Sequence, residues 1–92
     1  MNVTFQLTAQ LRQLAGTESV QVAVATGATL ATAIQNLAEH APSLQGYLIS
    51  ETGIRRSLII SVNDTPVHAA QAESHVLTDG AEIVLLPPIS GG

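Results

Sequence analysis

Residues 78–92 read TDGAEIVLLPPISGG, and this stretch decides the fold. Asp79 and Gly80 signal a turn, because aspartate bonds locally to its own backbone and Gly80 supplies positive φ without a Cβ clash. Residues 83–86 then form an unbroken apolar run. A strand that is apolar on both faces suits a central place in a sheet. Pro87 and Pro88 end it, since proline has no N–H for the ladder and its fixed φ extends the backbone away from the sheet. Beyond Ser90, Gly91 and Gly92 leave an end without side chains, narrow enough for a slot that no branched residue enters.

Working outward, VTFQL (3–7) alternates, with Val3, Phe5 and Leu7 on one side, and SVQVAVA (19–25) alternates through Val20, Val22 and Val24. Period-two patterning of β-formers reads as half-buried strands. With Gly16 as a turn, these two strands form an antiparallel hairpin with a wide loop. From residue 29 the period changes. Leu30, Ile34, Leu37 and Ala41 fall at helical spacing, Ala33 and Ala38 fill the same side, Thr29 stands at the N-cap and Pro42 stops the pattern. Leu44, Tyr47 and Leu48 suggest a short helical turn, and ETG (51–53) a loop. SLIISV (57–62) is a strand with Leu58, Ile60 and Val62 on one face and Ile59 on the other. NDTP (63–66) is a turn. The segment VHAAQAESHVL (67–77) carries a short edge strand at its start and little regular structure after it.

The order strand, strand, helix, strand, short strand, strand predicts an α+β fold. Its simplest packing is a four- or five-stranded mixed sheet on one main helix, with the last strand beside the first. Residues 1–87 form this domain and 88–92 a flexible tail.

The chain has 92 residues, 46% of them hydrophobic and 11% charged, enough for one core. Its net charge is −4, and its strongly basic side chains are Arg12, Arg55 and Arg56, with no lysine. Without a basic patch or an aromatic stacking platform, nucleic-acid binding is not expected. No stretch reaches the length of a membrane span, and the first residues lack the basic flank and long apolar run of a signal peptide. A cytoplasmic protein is expected. The absence of cysteine excludes disulfides, thiolate metal sites and cysteine nucleophiles.

The remaining chemistry-bearing residues have plainer explanations. His40 sits in a last helical turn, and His68 and His75 lie seven positions apart in the least regular segment, so no metal site is expected. No serine stands in a nucleophile elbow. Asp64 and Asp79 stand in turns, and with Glu82 they make no evident acid–base set. The α-carboxylate of Gly92 is left. A free carboxylate repels nucleophiles. Joined to AMP as a mixed anhydride it becomes an electrophile, and bare glycines leave its carbonyl carbon open to attack.

Together these features resemble the ubiquitin-like, β-grasp sulfur carriers of the MoaD/ThiS type, most of all MoaD, the small subunit of molybdopterin synthase. LTDGAEIVLLPPISGG (77–92) is similar to the family's strand entry, double proline and terminal diglycine. VNDTPV (62–67) resembles its Val-Asn hairpin and AQLRQLAGT (9–17) its first loop. The resemblance implies that Gly92 is the reacting residue, on a tail with Gly91, Ser90, Pro88 and Pro87. It implies adenylation by a MoeB-like enzyme that uses ATP, sulfur from a sulfurtransferase, and delivery into a MoaE-like large subunit that holds the catalytic acids and bases. The chain itself would bind no cofactor or metal and would be no enzyme alone. The resemblance places Leu86, Pro66 and Thr8 on the docking face, where family members often carry aromatics and this chain has none. Arg55 and Arg56 belong to a longer 43–57 stretch, either as a solvated loop or facing an acidic partner. Sulfur carriers for thiamin, tRNA thiolation and amino-acid synthesis share the design, as do ubiquitin-like protein modifiers.

Overall fold

The computed structural model describes residues 1–87. β1 (Asn2–Leu7) and β2 (Ser19–Ala23) pair antiparallel, with Phe5 opposite Val20. The loop expected between them is instead a helix, α1 (Ala9–Ala15). Its sequence, AQLRQLA, consists of good helix formers. Leu11 is its one buried residue, so no apolar period advertises it. Gly16 closes it at φ 76°, donating its N–H to the Arg12 carbonyl at 3.0 Å.

The main helix, α2 (Leu30–His40), follows its expected bounds, and the Thr29 hydroxyl accepts from the Thr32 N–H at 3.3 Å. Leu30, Ala31, Ala33, Ile34, Leu37 and Ala38 are buried. A 3₁₀ turn (Pro42–Leu44) leads into α3 (Gln45–Leu48). The expected loop beyond it holds a miniature hairpin, β3 (Ile49–Ser50) with β4 (Gly53–Ile54). β5 (Ile59–Val62) and β6 (Thr65–Val67) form a second hairpin across Asn63 and Asp64, whose φ values of 49° and 68° suit a tight hairpin turn. A 3₁₀ turn at Ala69–Gln71 precedes β7 (Glu82–Leu86), which follows Gly80 at φ 79°.

The sheet order is β2-β1-β7-β5-β6. β7 is therefore central, parallel to β1 and antiparallel to β5, as its two-faced apolarity predicts. The inner face (Val3, Phe5, Leu7, Val22, Ile60, Val62, Val67, Ile83 and Leu85) shares one buried cluster with α2, Leu11, Leu44 and Leu48. This is the five-stranded β-grasp arrangement, with one sheet face covered and the other open.

Residues 69–77 look irregular because they serve the start of α2. The Leu30 and Ala31 N–H groups, which have no partner inside their own helix, donate to the carbonyls of His75 (2.8 Å) and Ala72 (2.9 Å). Leu77 in turn donates to the Ala28 carbonyl at 2.9 Å. Hydrogen bonds of this kind leave no periodic trace in the sequence.

Candidate functional site

The site is built from the end of β7. Leu85 points inward and is fully buried, so Val84 and Leu86 lie on the open face. The register carries that face across the sheet. Val84 stands opposite Gln6 on one side and Ser61 on the other, Ser61 stands opposite Pro66, and Leu86 stands opposite Ile59. Ile59 is 45% exposed, Pro66 is exposed, and Val84 and Leu86 are half-buried. Together they make an apolar patch beside the point where the chain leaves the sheet, bordered by Gln6 and Ser61.

Two of the three expected docking residues, Leu86 and Pro66, thus share this patch. The sequence reading did not assign Ile59 and Val84 to it, although their place in the alternation already set them opposite the core. Thr8, the third, follows Leu7 at the end of β1, level with Leu86 when the β1–β7 register is carried one step on. Its hydroxyl donates to the Leu85 carbonyl at 2.9 Å, which ties the start of α1 to the last turn of the ladder. It is half-buried, and its side chain makes no cap bond to α1. Pro87 ends the ladder as expected, yet it is buried and so belongs to the domain's packed end. Pro88, Ser90, Gly91 and Gly92 lie outside the described residues.

The three arginines and three of the carboxylates fall at opposite ends of the sheet. Arg12 follows β1 on α1, and Arg55 and Arg56 precede β5, all at the end where β7 finishes. The Arg55 Nε donates to the Gly46 carbonyl at 2.6 Å, and all three arginines are exposed. Asp64, Asp79 and Glu82 lie at the opposite end, where Asp79 accepts the Asn2 N–H at 3.0 Å and Asn63 accepts the Glu82 N–H at 3.0 Å. These carboxylates serve or flank turns. His40 occupies the last turn of α2. His68 caps a 3₁₀ turn by accepting the Ala70 N–H at 3.1 Å. Among the described residues no three His, Asp or Glu side chains are grouped to hold a metal ion, and no helix is long and apolar enough to cross a membrane. What the patch offers is contact area for a partner next to the departing chain end.

The sequence matches the ThiS family over residues 5–92. The chain belongs to the ThiS family. A search of curated proteins returned no match. Solved structures share this fold. SAMP1 from Haloferax volcanii is 27% identical, with 100% of both chains covered and a TM-score of 0.87. A structure of the Amycolatopsis orientalis BexX/CysO complex contains a chain 27% identical, covering 98% of this chain and 99% of that one, with a TM-score of 0.75. A putative molybdopterin converting factor subunit 1 from Pyrococcus furiosus is 22% identical, covers 97% and 99%, and has a TM-score of 0.76. The last shows likeness of fold. This ThiS-family chain is thus a ubiquitin-like protein of the sulfur-carrier and modifier type, similar to proteins that include one found in complex with a second protein.

Proposed function

We propose that this chain carries sulfur as a thiocarboxylate on Gly92 and delivers it for dithiolene formation as the small subunit of a molybdopterin synthase. The observation that carries the reading is the central β7, which ends in Pro87 beside an open apolar patch and leads into the Gly91–Gly92 end of a ThiS-family match. In this mechanism a MoeB-like enzyme joins the Gly92 carboxylate to AMP from ATP, releasing pyrophosphate. The terminal sulfur of a sulfurtransferase persulfide then attacks the acyl carbon and displaces AMP, and a thiol reductant cleaves the S–S bond of the resulting acyl disulfide, leaving the thiocarboxylate on Gly92 and the reductant oxidised to a disulfide. The MoaE-like large subunit takes the tail into its own active site, where its acids and bases move the sulfur to the pterin precursor. This chain supplies the carried carboxyl and a docking face of Ile59, Pro66, Val84 and Leu86. The partner supplies the catalytic groups.

Intact-mass spectrometry tests the reading. Incubation with the adenylating enzyme, a sulfurtransferase with its sulfur donor, a thiol reductant and ATP is expected to add about 16 Da, the exchange of one oxygen for sulfur at the activated carboxyl. Addition of the large subunit and its pterin substrate is expected to return the original mass. A loaded chain that keeps its sulfur under those conditions overturns the molybdopterin step, and a chain that never gains the mass overturns the carrier reading.

Likeness to SAMP1, a small archaeal modifier protein, favours a second reading in which Gly92 is joined to an amine of another protein. Amide-linked adducts of the chain on other proteins, without any thiocarboxylate form, would decide for it.

A further inference from the structure

The sheet has two outer edges, and they are built differently. β6 is three residues long and holds Pro66, which has no N–H to offer a further strand. β2 is five residues, SVQVA, with neither proline nor charge within it. Proteins blunt an unused edge with short strands, prolines or charges, because a bare edge pairs with other chains. We propose that the outer edge of β2 pairs with β2 of a second copy, antiparallel and centred on Gln21, to form a weak dimer with one continuous sheet. The inference is independent of any chemistry at Gly92.

The register shows which groups are available. The Glu18 carbonyl accepts the Leu7 N–H, and the Val24 N–H donates to the Met1 carbonyl, both at 2.8 Å. Bonded positions alternate along an antiparallel pair. Glu18, Val20, Val22 and Val24 therefore bond to β1, while Ser19, Gln21 and Ala23 turn their N–H and carbonyl groups outward. The same alternation shows on β1, where Thr4, opposite Gln21, donates away from β2 to the Ala81 carbonyl at 2.9 Å. Among the described residues nothing bonds to the outward groups of Gln21 or Ala23. At Ser19 the Thr17 hydroxyl donates to the carbonyl at 3.1 Å and accepts the N–H at 3.4 Å. The carbonyl keeps a second lone pair, and so long a bond to the N–H exchanges readily for a better one.

This edge is self-complementary. With Gln21 opposite the second copy's Gln21, Ser19 falls opposite its Ala23, and every outward N–H meets an outward carbonyl. On the inner face Val20, which is half-buried, gains the cover of the second copy's Val22, a β-branched pair of the kind that stabilises strand pairing. On the open face the two Gln21 amides face each other, each with a donor and an acceptor. No like charges are opposed. Glu18 falls opposite Val24, which sets the two Glu18 residues about 20 Å apart, beyond the screening length of about 8 Å at physiological salt. Pairing along so short an edge buries less than the roughly 1,200 Å² of a stable interface, so the dimer is weak and concentration-dependent. β1 separates β2 from β7, so the patch of Ile59, Pro66, Val84 and Leu86 stays open on both copies.

The chain has no cysteine, so single-cysteine variants report the register. A hydrogen-bonded antiparallel pair brings its Cα atoms to about 5.5 Å, within disulfide reach. In a glutathione redox buffer, Gln21→Cys is expected to form a disulfide dimer at least about tenfold faster than Ala23→Cys or Gln13→Cys, because pairing raises the effective concentration of its thiols. Two copies of Ala23 lie about 14 Å apart along the strand, whereas Ser19→Cys mixed with Ala23→Cys is expected to cross-link. For the parent, translational diffusion by NMR is expected to slow between about 20 μM and about 1 mM, with slower hydrogen exchange at the Gln21 and Ala23 amides. Gln21→Lys sets two ammonium groups opposite each other and is expected to abolish that slowing while the fold is kept. A parent that stays monomeric at about 1 mM overturns the proposal. So does equal cross-linking of Gln21→Cys and Ala23→Cys. A dimer that survives Gln21→Lys but is lost in Ile59→Asp moves the contact to the apolar patch and overturns it. Protection of the Gln21 and Ala23 amides that appears only on adding the MoaE-like partner assigns the edge to that partner and overturns it as well.

Discussion

Removing the Thr8 hydroxyl tests whether the departing end of β7 is held by that one contact. Thr8→Val keeps the size and β-branching, and therefore the extended backbone at φ −124° and ψ 159°. It deletes the 2.9 Å bond to the Leu85 carbonyl and puts nothing polar in its place. The net worth of such a bond is about 1 kcal/mol, and an acceptor left unpaired costs about 1–3 kcal/mol. The bond is only part-buried, so water reaches the freed carbonyl in part and the lower half of that range applies. No capping energy is lost, since the side chain caps nothing. The expected destabilisation is about 1–2 kcal/mol, a fall in Tm of roughly 4–15 °C for a domain of this size. Urea unfolding followed by circular dichroism measures the first and calorimetry the second. Thr8→Ser keeps the donor and is expected to stay within about 0.5 kcal/mol of the parent. A Thr8→Val protein as stable as the parent, or a Thr8→Ser protein as weak as Thr8→Val, would refute the anchoring role.

Other outcomes follow from the same structure. Ile34→Ala, at a fully buried position on α2, is expected to cost about 2–5 kcal/mol in urea unfolding through lost burial and the cavity left behind. Ile59→Asp is expected to change stability by no more than about 0.5 kcal/mol, because the side chain is 45% exposed, yet to weaken binding to the proposed MoaE-like partner in calorimetric titration. Deletion of Gly92 is expected to leave the melting curve unchanged while abolishing sulfur loading in the mass assay. Gly80→Ala is expected to cost about 1 kcal/mol, measured by thermal melting, because φ 79° strains any residue with a Cβ although nothing lies within 4 Å of it.

Much of the fold was legible because the chain keeps clean periods. Val3, Phe5 and Leu7 alternate, Leu30, Ile34 and Leu37 step at helical spacing, and Asn63, Asp64 and Gly80 mark turns that do take positive φ. The double apolarity of residues 83–86 suits the central place that β7 takes in the sheet. α1 escaped detection because a helix with a single buried residue has no amphipathic period to read. The 69–77 segment escaped because its order comes from backbone bonds to the start of α2. The site was legible in part. The sequence points to Leu86 and Pro66, while only the strand register sets Ile59 and Val84 beside them.

The sequence by itself determined which residues face inward within each strand and helix and where the chain turns. Those are local matters, set by backbone sterics and by the period of apolar residues. The tertiary structure decided which strands lie side by side, and with them the patch of Ile59, Pro66, Val84 and Leu86. It also made Thr8 an anchor for Leu85 and set Met1 at the far end of the sheet from Leu86. Alternation tells a residue its face but not its neighbour. The neighbour is chosen by hydrogen bonds between segments as far apart as Thr8 and Leu85, 77 positions along the chain.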